Sequence, residues 1–332
     1  MKSISCIRVG MRRGIAALLS GVVALIAAPS GSAAADFPVK GKPINIIVGA
    51  AAGGPNDVAA RLLAPLMQKE LGTPVQVVNR PGAGWQVGTT ELTRAKPDGY
   101  TIGYAPIPTI ITIYLDPDRK AVFGRKDFQM LAMHVVDPGA IAVRADSPYK
   151  NVKDLVDAAK ADPGKIKVSH TGIMGDDHLA ILQFEKLSGV TMAVVGFDSS
   201  IAAQTALLGG HIDVAFDNVG TFLSHSRAGT MRVLGIMDKE ESRYYPGVKT
   251  IEAQGYKLYS SSARSIVMPA GAPREIITLL SNTIRKATED SEHQRKLDEM
   301  GFPLRYMDPE QTAAFWDHME AQVKPLMLLG KK

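Results

Sequence analysis

The feature that most constrains the fold is a strand–turn–helix pattern that occurs twice in the chain. The first copy covers residues 44–104 and the second covers residues 166–216. In each copy a short apolar strand leads into a Gly-containing turn and then a helix with an acidic residue near its start. A second strand, a second turn and a second helix follow, and a third strand ends the copy. Such alternation predicts parallel strands covered by helices, with ligands bound beyond the carboxyl ends of the strands. Two copies facing each other would form a cleft lined by four turns.

The first turn of the first copy has the composition of an anion-binding site. Residues 44–48 form the predicted strand, and a helix with one apolar face is predicted from about 58 to 70. Between them, Gly53 and Gly54 would let a ligand approach the backbone, and Asn56 or Asp57 would cap the helix. The free N–H groups of a first helical turn favour carboxylates and phosphates. The same residues also fit a strand–turn–helix connection without a ligand.

The other predicted elements complete both copies. In the first copy they are a strand at 74–79, a tight turn at 80–84, a helix at 85–95 and a strand at 100–104. In the second copy they are a strand at 166–169, a turn at 170–177, a helix at 178–187, a strand at 191–195, a turn at 196–200, a helix at 201–208 and a strand at 212–216. Pro65 interrupts the first helix and predicts a kink or a shorter helix there.

The segments outside the two copies predict two lobes joined by crossing strands. Strands at 130–136 and 140–143 flank a break at Asp137, Pro138 and Gly139, and the chain returns near 258–268. Helices at about 274–289 and 309–327 are expected to pack on the first lobe. We predict an α/β fold in which each lobe is a mostly parallel sheet flanked by helices, with the ligand cleft between the lobes. Lobe 1 comprises residues 36–136 and 258–332, lobe 2 comprises residues 137–257, and the hinge lies near 134–143 and 258–267.

The first 35 residues have the pattern of a secretory signal peptide. A basic start containing Lys2 and Arg8 precedes an apolar stretch at 15–28, and small residues at 33–35 predict cleavage before Asp36. The remaining chain has no cysteine and carries 34 Lys and Arg against 33 Asp and Glu, so no nucleic-acid or membrane-surface role is expected. No later stretch approaches the roughly 20 apolar residues of a transmembrane helix. We therefore expect an exported protein.

Several short motifs occur in a fixed order along the mature chain. They are PINIIV (43–48), AAGG (51–54) with Asp57, NRPGAG (79–84), KPDGYT (96–101), LLGGHID (207–213), FDN (216–218), RAG (227–229) and PAGAP (269–273). Each is weak alone, but the ordered set resembles the extracytoplasmic solute receptors of tripartite tricarboxylate transporters, the Bug or TctC family. The resemblance covers essentially the whole mature chain. It implies a periplasmic, two-lobed (type II-like) binding protein that closes on a small carboxylate. It also implies that the receptor presents this ligand to the large and small membrane subunits of a transporter and acts as a monomer.

The chain departs from the family pattern in its turns. Family members usually carry a small polar pair where this chain has Pro55 and Asn56, and usually Gly and Asn where it has Trp85 and Gln86. Trp85 could form a wall for a ring or alkyl chain, or could pack under the turn. Arg264 replaces part of an aromatic pair and could hold a carboxylate, or could be solvated or paired internally.

The predicted ligand-binding residues come from the turns of both copies, the strand ends and the return strand. They are Gly53, Gly54, Pro55, Asn56, Asp57, Gly82, Ala83, Gly84, Trp85, Ala105, Thr171, Gly172, Met174, Gly175, Asp176, His178, Phe197, Asp198, Ser199, Asp217, Asn218, Ser262 and Arg264. His178 could contact ligand or metal, or make a capping or interlobe hydrogen bond; no cofactor or metal is expected because no matching ligand cluster occurs elsewhere. Asp217 and Asn218 could shape the cleft floor or tie down the next turn.

Two other function classes fit parts of the chain. Gly82, Gly84 and Gly88 resemble a dinucleotide turn, but their spacing is GxGxxxG and the next strand lacks the ribose-binding acid. Neither a G-x-S-x-G nor an HExxH motif occurs in the sequence, so an exported enzyme is not expected. A receptor for an amino acid or another small solute used in sensing is the second alternative. A C4–C6 dicarboxylate, an aromatic acid and an amino acid all stay open as ligands; Trp85 and Arg264 favour an extended or aromatic acid.

Overall fold

The computed structural model of the chain describes residues 37–331, with side chains described to residue 327. The predicted signal peptide and its cleavage point before Asp36 lie outside the described residues. Among the helices of the described part, none combines the length and the apolar character needed to cross a membrane.

The described residues form alternating strands and helices. The strands are β1 (Ile44–Val48), β2 (Val75–Asn79), β3 (Thr101–Ile107), β4 (Phe128–Arg144), β5 (Lys167–His170), β6 (Ala193–Gly196), β7 (Val214–Asn218), β8 (Met231–Ile236), β9 (Ser261–Pro269) and β10 (Leu304–Met307). The helices are α1 (Pro55–Leu71), α2 (Gln86–Arg94), α3 (Thr109–Leu115), α4 (Val152–Ala161), α5 (Asp176–Ser188), α6 (Ser200–Leu208), α7 (Val219–Arg227), α8 (Arg274–Glu289), α9 (Ser291–Glu299) and α10 (Pro309–Val323). Short 3₁₀ turns lie at Pro117–Arg119, Arg125–Asp127, Glu252–Gln254 and Lys324–Lys331.

The strands form one mixed sheet with two parallel ends. Its order is β2-β1-β3-β9-β4-β7-β5-β6, and β8 and β10 also pair with β4. In the first copy β1 is parallel to β2 and β3, and in the second copy β5 is parallel to β6 and β7. The antiparallel strands β4 and β9 lie between these ends. The two copies therefore lie at opposite ends of the sheet.

The predicted break at Asp137, Pro138 and Gly139 is wrong, because β4 runs through it without interruption. Pro138 cannot donate a backbone hydrogen bond, but it stays in register with Ser261 of β9. The next residue, Gly139, donates its N–H to the Ser260 carbonyl at 2.8 Å and is in register with Asn218 of β7. The partner strands of β4 change at this point, while the strand itself continues.

Helices cover both faces of each end of the sheet. At the first end, Ile44 and Ile46 of β1 share a buried cluster with Leu63 of α1 and Leu280 of α8. On the other face, Trp316 of α10 shares a cluster with residues of β3, α3 and β9. At the second end, α4 and α5 cover one face, while α6 and α7 cover the other. The C-terminal helices α8 and α10 thus pack at the first end, the position predicted for them.

Helix α1 begins earlier than its apolar pattern indicated. Its N-cap is Gly54, and Pro55 occupies the first turn, where its missing N–H costs nothing. Pro65 is exposed, and the helix continues past it to Leu71. Gly72 then ends it in the left-handed conformation at φ 63°. This early start moves Asp57 into the first turn, which changes its role.

Candidate functional site

Loops from both copies meet at an inner cavity of about 100 Å³. It lies at the carboxyl ends of β1, β2, β3, β5, β6 and β7 and is also lined by β9. Its lining residues are Pro55, Asn56, Gly84, Trp85, Pro106, Thr109, Thr171, Gly172, Ile173, Gly175, Asp176, Asp177, Ser200, Asp217, Asn218, Ser262 and Arg264. This is the position that parallel α/β topology predicts for a ligand site.

The inner cavity continues into a wider outer cleft, which we define by two adjoining cavities of about 870 and 170 Å³. Trp85 and Thr171 line the inner cavity and both of these spaces, so they stand at the passage between them. The predicted residues found only in the outer cleft are Gly54, Gly82, Ala83, Phe197, Asp198 and Ser199.

Arg264 is the cation of the inner cavity. Its side chain is only 1% exposed, and its Nη2 donates to Asp137 Oδ2 at 2.9 Å. The guanidinium lies over the ring of Phe302 at 4.4 Å from the centroid. Its Nε and Nη1 have no hydrogen-bond partner in the described residues. Arg264 is therefore paired internally, as one of the two sequence interpretations predicted, and a role in holding a carboxylate stays a prediction.

Asp57 holds the first turn in place and does not line the cavity. It accepts hydrogen bonds from Gly53 N–H at 2.8 Å, Arg61 Nε at 2.9 Å and Asn79 Nδ2 at 2.9 Å. Burial raises the pKa of Asp57, but these three donors outweigh burial and hold the pKa below its usual value. The predicted cap by Asn56 or Asp57 is wrong, because the N-cap residue Gly54 makes no side-chain cap bond.

Asp177 holds the first turn of the second copy in the same way. Its Oδ2 accepts from the N–H and the hydroxyl of Thr171, at 2.6 and 2.8 Å. Burial raises the pKa of Asp177 well above its usual value, and the nearby charges of Asp176 and Asp217 raise it further. Unlike Asp57, this carboxylate also lines the inner cavity.

Two further carboxylates line the same cavity. Asp176 accepts from Asn218 Nδ2 at 2.9 Å, and burial raises its pKa. Asp217 accepts from Asn218 N–H at 2.7 Å and from the Thr221 hydroxyl at 3.0 Å. Burial raises the pKa of Asp217 from 3.8 to about 6. The floor of the cavity is therefore acidic, and the donors to it named above are neutral.

Trp85 both packs under its turn and lines the cavity. Its ring lies so close to Gly49 that a Cβ there would be 2.7 Å from it. Trp85 itself has a left-handed φ of 77° and caps α2. A Cβ on Gly88 would lie 2.9 Å from both the Arg80 carbonyl oxygen and the Gly49 Cα. Close packing of α2 on the turn thus accounts for Gly88, the last glycine of the pattern that resembled a dinucleotide turn.

His178 serves its own turn. Its Nδ1 accepts from Met174 N–H at 2.9 Å, and its ring stacks on His170 at a centroid distance of 4.5 Å. Burial, followed by the charge of His170, lowers the pKa of His178 to about 4. Within residues 37–331 no group of three or more His, Cys, Asp or Glu side chains could hold a metal ion. The capping interpretation of His178 accounts for these contacts.

A family model described as "Tripartite tricarboxylate transporter family receptor" (TctC) matches residues 59–328. This chain belongs to the TctC family. BugT of Bordetella pertussis is 29% identical over 306 residues, which cover 90% of this chain and 92% of BugT. The predicted family is therefore confirmed.

Two solved structures share the fold of this TctC-family chain. MatC from Rhodopseudomonas palustris with bound malate has 24% identity and a TM-score of 0.79, covering 88% of this chain and 100% of MatC. Rpa4515 from R. palustris with adipate has 21% identity and a TM-score of 0.80, covering 89% of this chain and 98% of Rpa4515. The predicted two-lobed α/β binding-protein fold is confirmed.

The comparisons also decide the function class. TctC-family proteins are periplasmic solute-binding receptors, so the chain is a receptor and not an enzyme, as the sequence predicted. Membership of the family implies a small-molecule ligand and a membrane transporter as partner.

The inner cavity brings together about half of the residues predicted for this TctC-family receptor. The predicted residues that line it are Pro55, Asn56, Gly84, Trp85, Thr171, Gly172, Gly175, Asp176, Asp217, Asn218, Ser262 and Arg264. Gly53, Asp57, Ala105, Met174 and His178 line neither the inner cavity nor the outer cleft. Gly53 lies in a separate surface groove, and Ala105 is buried on β3, where its carbonyl accepts from the Ser265 hydroxyl at 2.6 Å.

Sequence reasoning missed five lining residues, which are Pro106, Thr109, Ile173, Asp177 and Ser200. Pro106 lies at the carboxyl end of β3, the third strand of the first copy, and Thr109 follows it at the start of α3. They occupy the place that Asp217 and Asn218 take in the second copy. Aligning the two copies of the sequence would therefore have indicated them as lining residues. Asp177 and Ser200 directly follow the predicted residues Asp176 and Ser199. Only the conformation of each turn decides which of these side chains face the cavity.

Proposed function

We propose that this TctC-family receptor binds a small carboxylate in the inner cavity. The observation that carries the proposal is Arg264, a buried cation that lines the cavity and whose Nε and Nη1 have no partner among residues 37–331. A buried, unsatisfied donor is costly, and a carboxylate oxygen is the acceptor that a guanidinium binds best. The ligand would supply the acceptor that the fold leaves out.

The starts of α1 and α5 add to this anion site. Pro55 and Asn56 of the first copy and Gly175 and Asp176 of the second line the cavity, so both helix N-termini flank it. Their N-cap residues, Gly54 and Gly175, make no side-chain cap bond. The positive ends of the two helix dipoles favour a negative group between them, although in α5 the His178 N–H already donates to Asp177 Oδ1 at 2.8 Å.

The acidic floor restricts how such a ligand lies. Asp176, Asp177 and Asp217 would repel a second carboxylate at the inner end of the cavity. A dicarboxylate or an aromatic acid, the classes favoured by the sequence, would therefore direct the rest of the molecule past Trp85 and Thr171 into the outer cleft. The malate and adipate held by the two R. palustris proteins support a carboxylate ligand.

Calorimetry on a panel of mono-, di- and tricarboxylic and aromatic acids tests this proposal. Each acid that binds is compared with its amide or methyl ester, which should not bind. Replacing the ion pair by neutral groups, as Arg264→Gln with Asp137→Asn, should weaken binding of the acid by at least about tenfold. The matched control removes the surface pair Arg125–Asp317 in the same way and should leave affinity unchanged. Equal binding of acid and amide would refute the proposal.

We further propose that the receptor, exported and cleaved before Asp36, works as a monomer that closes on its ligand. Closure would occur at β4 and β9, the strands that pass between the two ends of the sheet, and the closed form would deliver the ligand to a membrane transporter. Small-angle scattering with and without ligand measures both mass and radius. A dimeric mass, or an unchanged radius at saturation, would contradict this part. Mass spectrometry of the exported chain tests the cleavage point.

A further inference from the structure

We propose that the ligand carries an ammonium group beside its carboxylate, so that the inner cavity selects a zwitterion, such as an amino acid, over the plain acid of the same length. This inference rests on the proposed carboxylate site and adds a second pole to it. Arg264 forms the cationic pole, and Asp176 with Asp217 forms the anionic pole.

Within residues 37–331 the anionic pole makes no salt bridge with a protein cation, although the charge of Arg264 offsets part of the effect of burial on the pKa of Asp176. The lining residues of the inner cavity include three carboxylates, on Asp176, Asp177 and Asp217, and a single basic side chain. That side chain, Arg264, already pairs with a fourth carboxylate, Asp137, at 2.9 Å. Among the described residues, none of the three lining carboxylates makes a salt bridge. Buried carboxylates that make no salt bridge are costly, and a ligand ammonium would offset that cost.

The cationic pole is an independent observation on the same cavity. Arg264 is 1% exposed, and its Nε and Nη1 have no partner in the described residues. A ligand that was only a cation would leave these donors unsatisfied and would meet the guanidinium charge. A ligand that was only an anion would satisfy Arg264 but would face the carboxylates. One molecule with both groups satisfies both poles.

The chemistry of an ammonium group suits the anionic pole. A primary ammonium has three N–H donors and no acceptor, and carboxylates offer several acceptor positions each. Asp176 Oδ2 accepts from Asn218, and Asp217 Oδ1 accepts from Asn218 N–H and Thr221, which are neutral donors. Because the cavity is only about 100 Å³, the two ligand charges would be separated by a few bonds.

Whether the protein releases or takes up protons on binding distinguishes a zwitterionic ligand from a plain acid. The charged groups around Asp217 are Asp137 on β4, Asp176 and Asp177 at the start of α5, and Arg264 on β9. Burial raises the pKa of both Asp137 and Asp217 to about 6, so at pH 6 these carboxyls are partly protonated. An ammonium beside them would expel protons on binding, whereas a second anion would draw protons in.

Calorimetry of the mature chain with matched pairs tests the inference. The pairs are glutamate and glutarate, aspartate and succinate, 4-aminobutyrate and butyrate, and β-alanine and propionate, with butylamine and Ca²⁺ alone as further probes. We expect at least one amino acid to bind about 10- to 100-fold more tightly than its plain acid. Titration at pH 6 in two buffers of different ionisation enthalpy should then show proton release.

A variant of the anionic pole tests its contribution to binding separately from that of Arg264. Asp176→Asn keeps an oxygen acceptor for Asn218 but removes the charge, so it should weaken the amino acid by at least about tenfold, while a plain diacid, which the acidic floor repels, should bind at least as tightly as before. The control, Asp162→Asn, changes a surface carboxylate that is 59% exposed and should alter neither affinity. Circular dichroism of each variant checks that the fold is retained.

Each outcome decides the inference. If plain acids bind as tightly as their amino partners, or if no amino compound binds, the zwitterion is refuted while the carboxylate site can stand. Binding of butylamine or Ca²⁺ as tight as that of the amino acid also refutes it. If acids and their amides bind alike, the proposed function itself fails.

Discussion

Asp217 offers a quantitative test of the acidic floor. Its side chain is 7% exposed, and it accepts hydrogen bonds from Asn218 N–H and the Thr221 hydroxyl. Burial raises its pKa from 3.8 to about 6, which means that the folded protein disfavours the ionised form. Asp217→Asn keeps the shape of the side chain and removes the charge. We expect this variant to become more stable, relative to the unchanged protein, as the pH rises.

The magnitude follows from the pKa shift. Below pH 3.8 the carboxyl is protonated in both the folded and the unfolded states, so its ionisation costs nothing. Above pH 6 it is ionised in both states, and the shift of about two units destabilises the fold by roughly 3 kcal/mol. The cost develops between these values because the folded state retains a proton that the unfolded state releases. The charge of Asp217 also raises the pKa of Asp177, which adds an effect of the same sign.

Urea unfolding at pH 4 and pH 8 measures this difference. The free energy of unfolding of Asp217→Asn minus that of the unchanged protein should rise by roughly 2.5 kcal/mol between the two pH values, because a small part of the cost is already present at pH 4. Comparing two proteins removes the opposing contribution of the buried histidines, whose lowered pKa values increase stability with pH. The surface variant Asp146→Asn, at a side chain 74% exposed, is the control and should give a nearly constant difference. If this difference in the free energy of unfolding were the same at pH 4 and pH 8 for Asp217→Asn, the interpretation of Asp217 as a buried, uncompensated carboxylate would be refuted.

Three further predictions concern the turns and the cavity. Asp57→Ala removes three hydrogen bonds to a buried carboxylate and should lower the free energy of unfolding by about 3 kcal/mol; a loss below about 1 kcal/mol would contradict its anchoring role. Gly88→Ala places a Cβ against backbone atoms and should cost about 1–3 kcal/mol in thermal or urea unfolding, whereas Gly124→Ala meets no atom within 4 Å and should be near neutral. The chain has two tryptophans, and only Trp85 lines the cavity, so ligand should change the fluorescence of the Trp316→Phe variant and not that of Trp85→Phe.

Much of the fold could be predicted from local sequence pattern. Strand β1 and helix α8 have the predicted bounds, β2 starts one residue later than predicted, and every predicted strand and helix of the two copies is present. Helices α3, α4, α7 and α9 and strands β8 and β10 have no counterpart among the predicted elements. Helices α4 and α9 do have local signals, the N-caps Asn151 and Asp290, whereas α3 depends on packing, since its Ile110, Ile111 and Ile113 fill the cluster around Trp316. Such long-range contacts leave little signal in a short window of sequence.

The residues of the site were harder to predict, because one step along a turn reverses what a side chain faces. The early start of α1 at Pro55 turned Asp57 inward to bind Gly53 and left Asn56 beside the cavity. In the second copy the acidic residues at the helix start differ: Asp177 holds Thr171, and Asp176 reaches Asn218. The residue types alone do not distinguish these positions.

The sequence by itself determined the two repeated α/β units, the glycine turns at their first helices and the receptor family, because these depend on local periodicity and on an ordered set of motifs. Only the tertiary structure decided that β4 continues through Pro138, that Arg264 pairs with Asp137 and still keeps free donors, and that three carboxylates share its cavity. These facts depend on strand register and on the approach of segments more than a hundred residues apart in the chain. Charge pairing across such distances has no local sequence pattern, so the character of the ligand site emerges only when the two copies face each other.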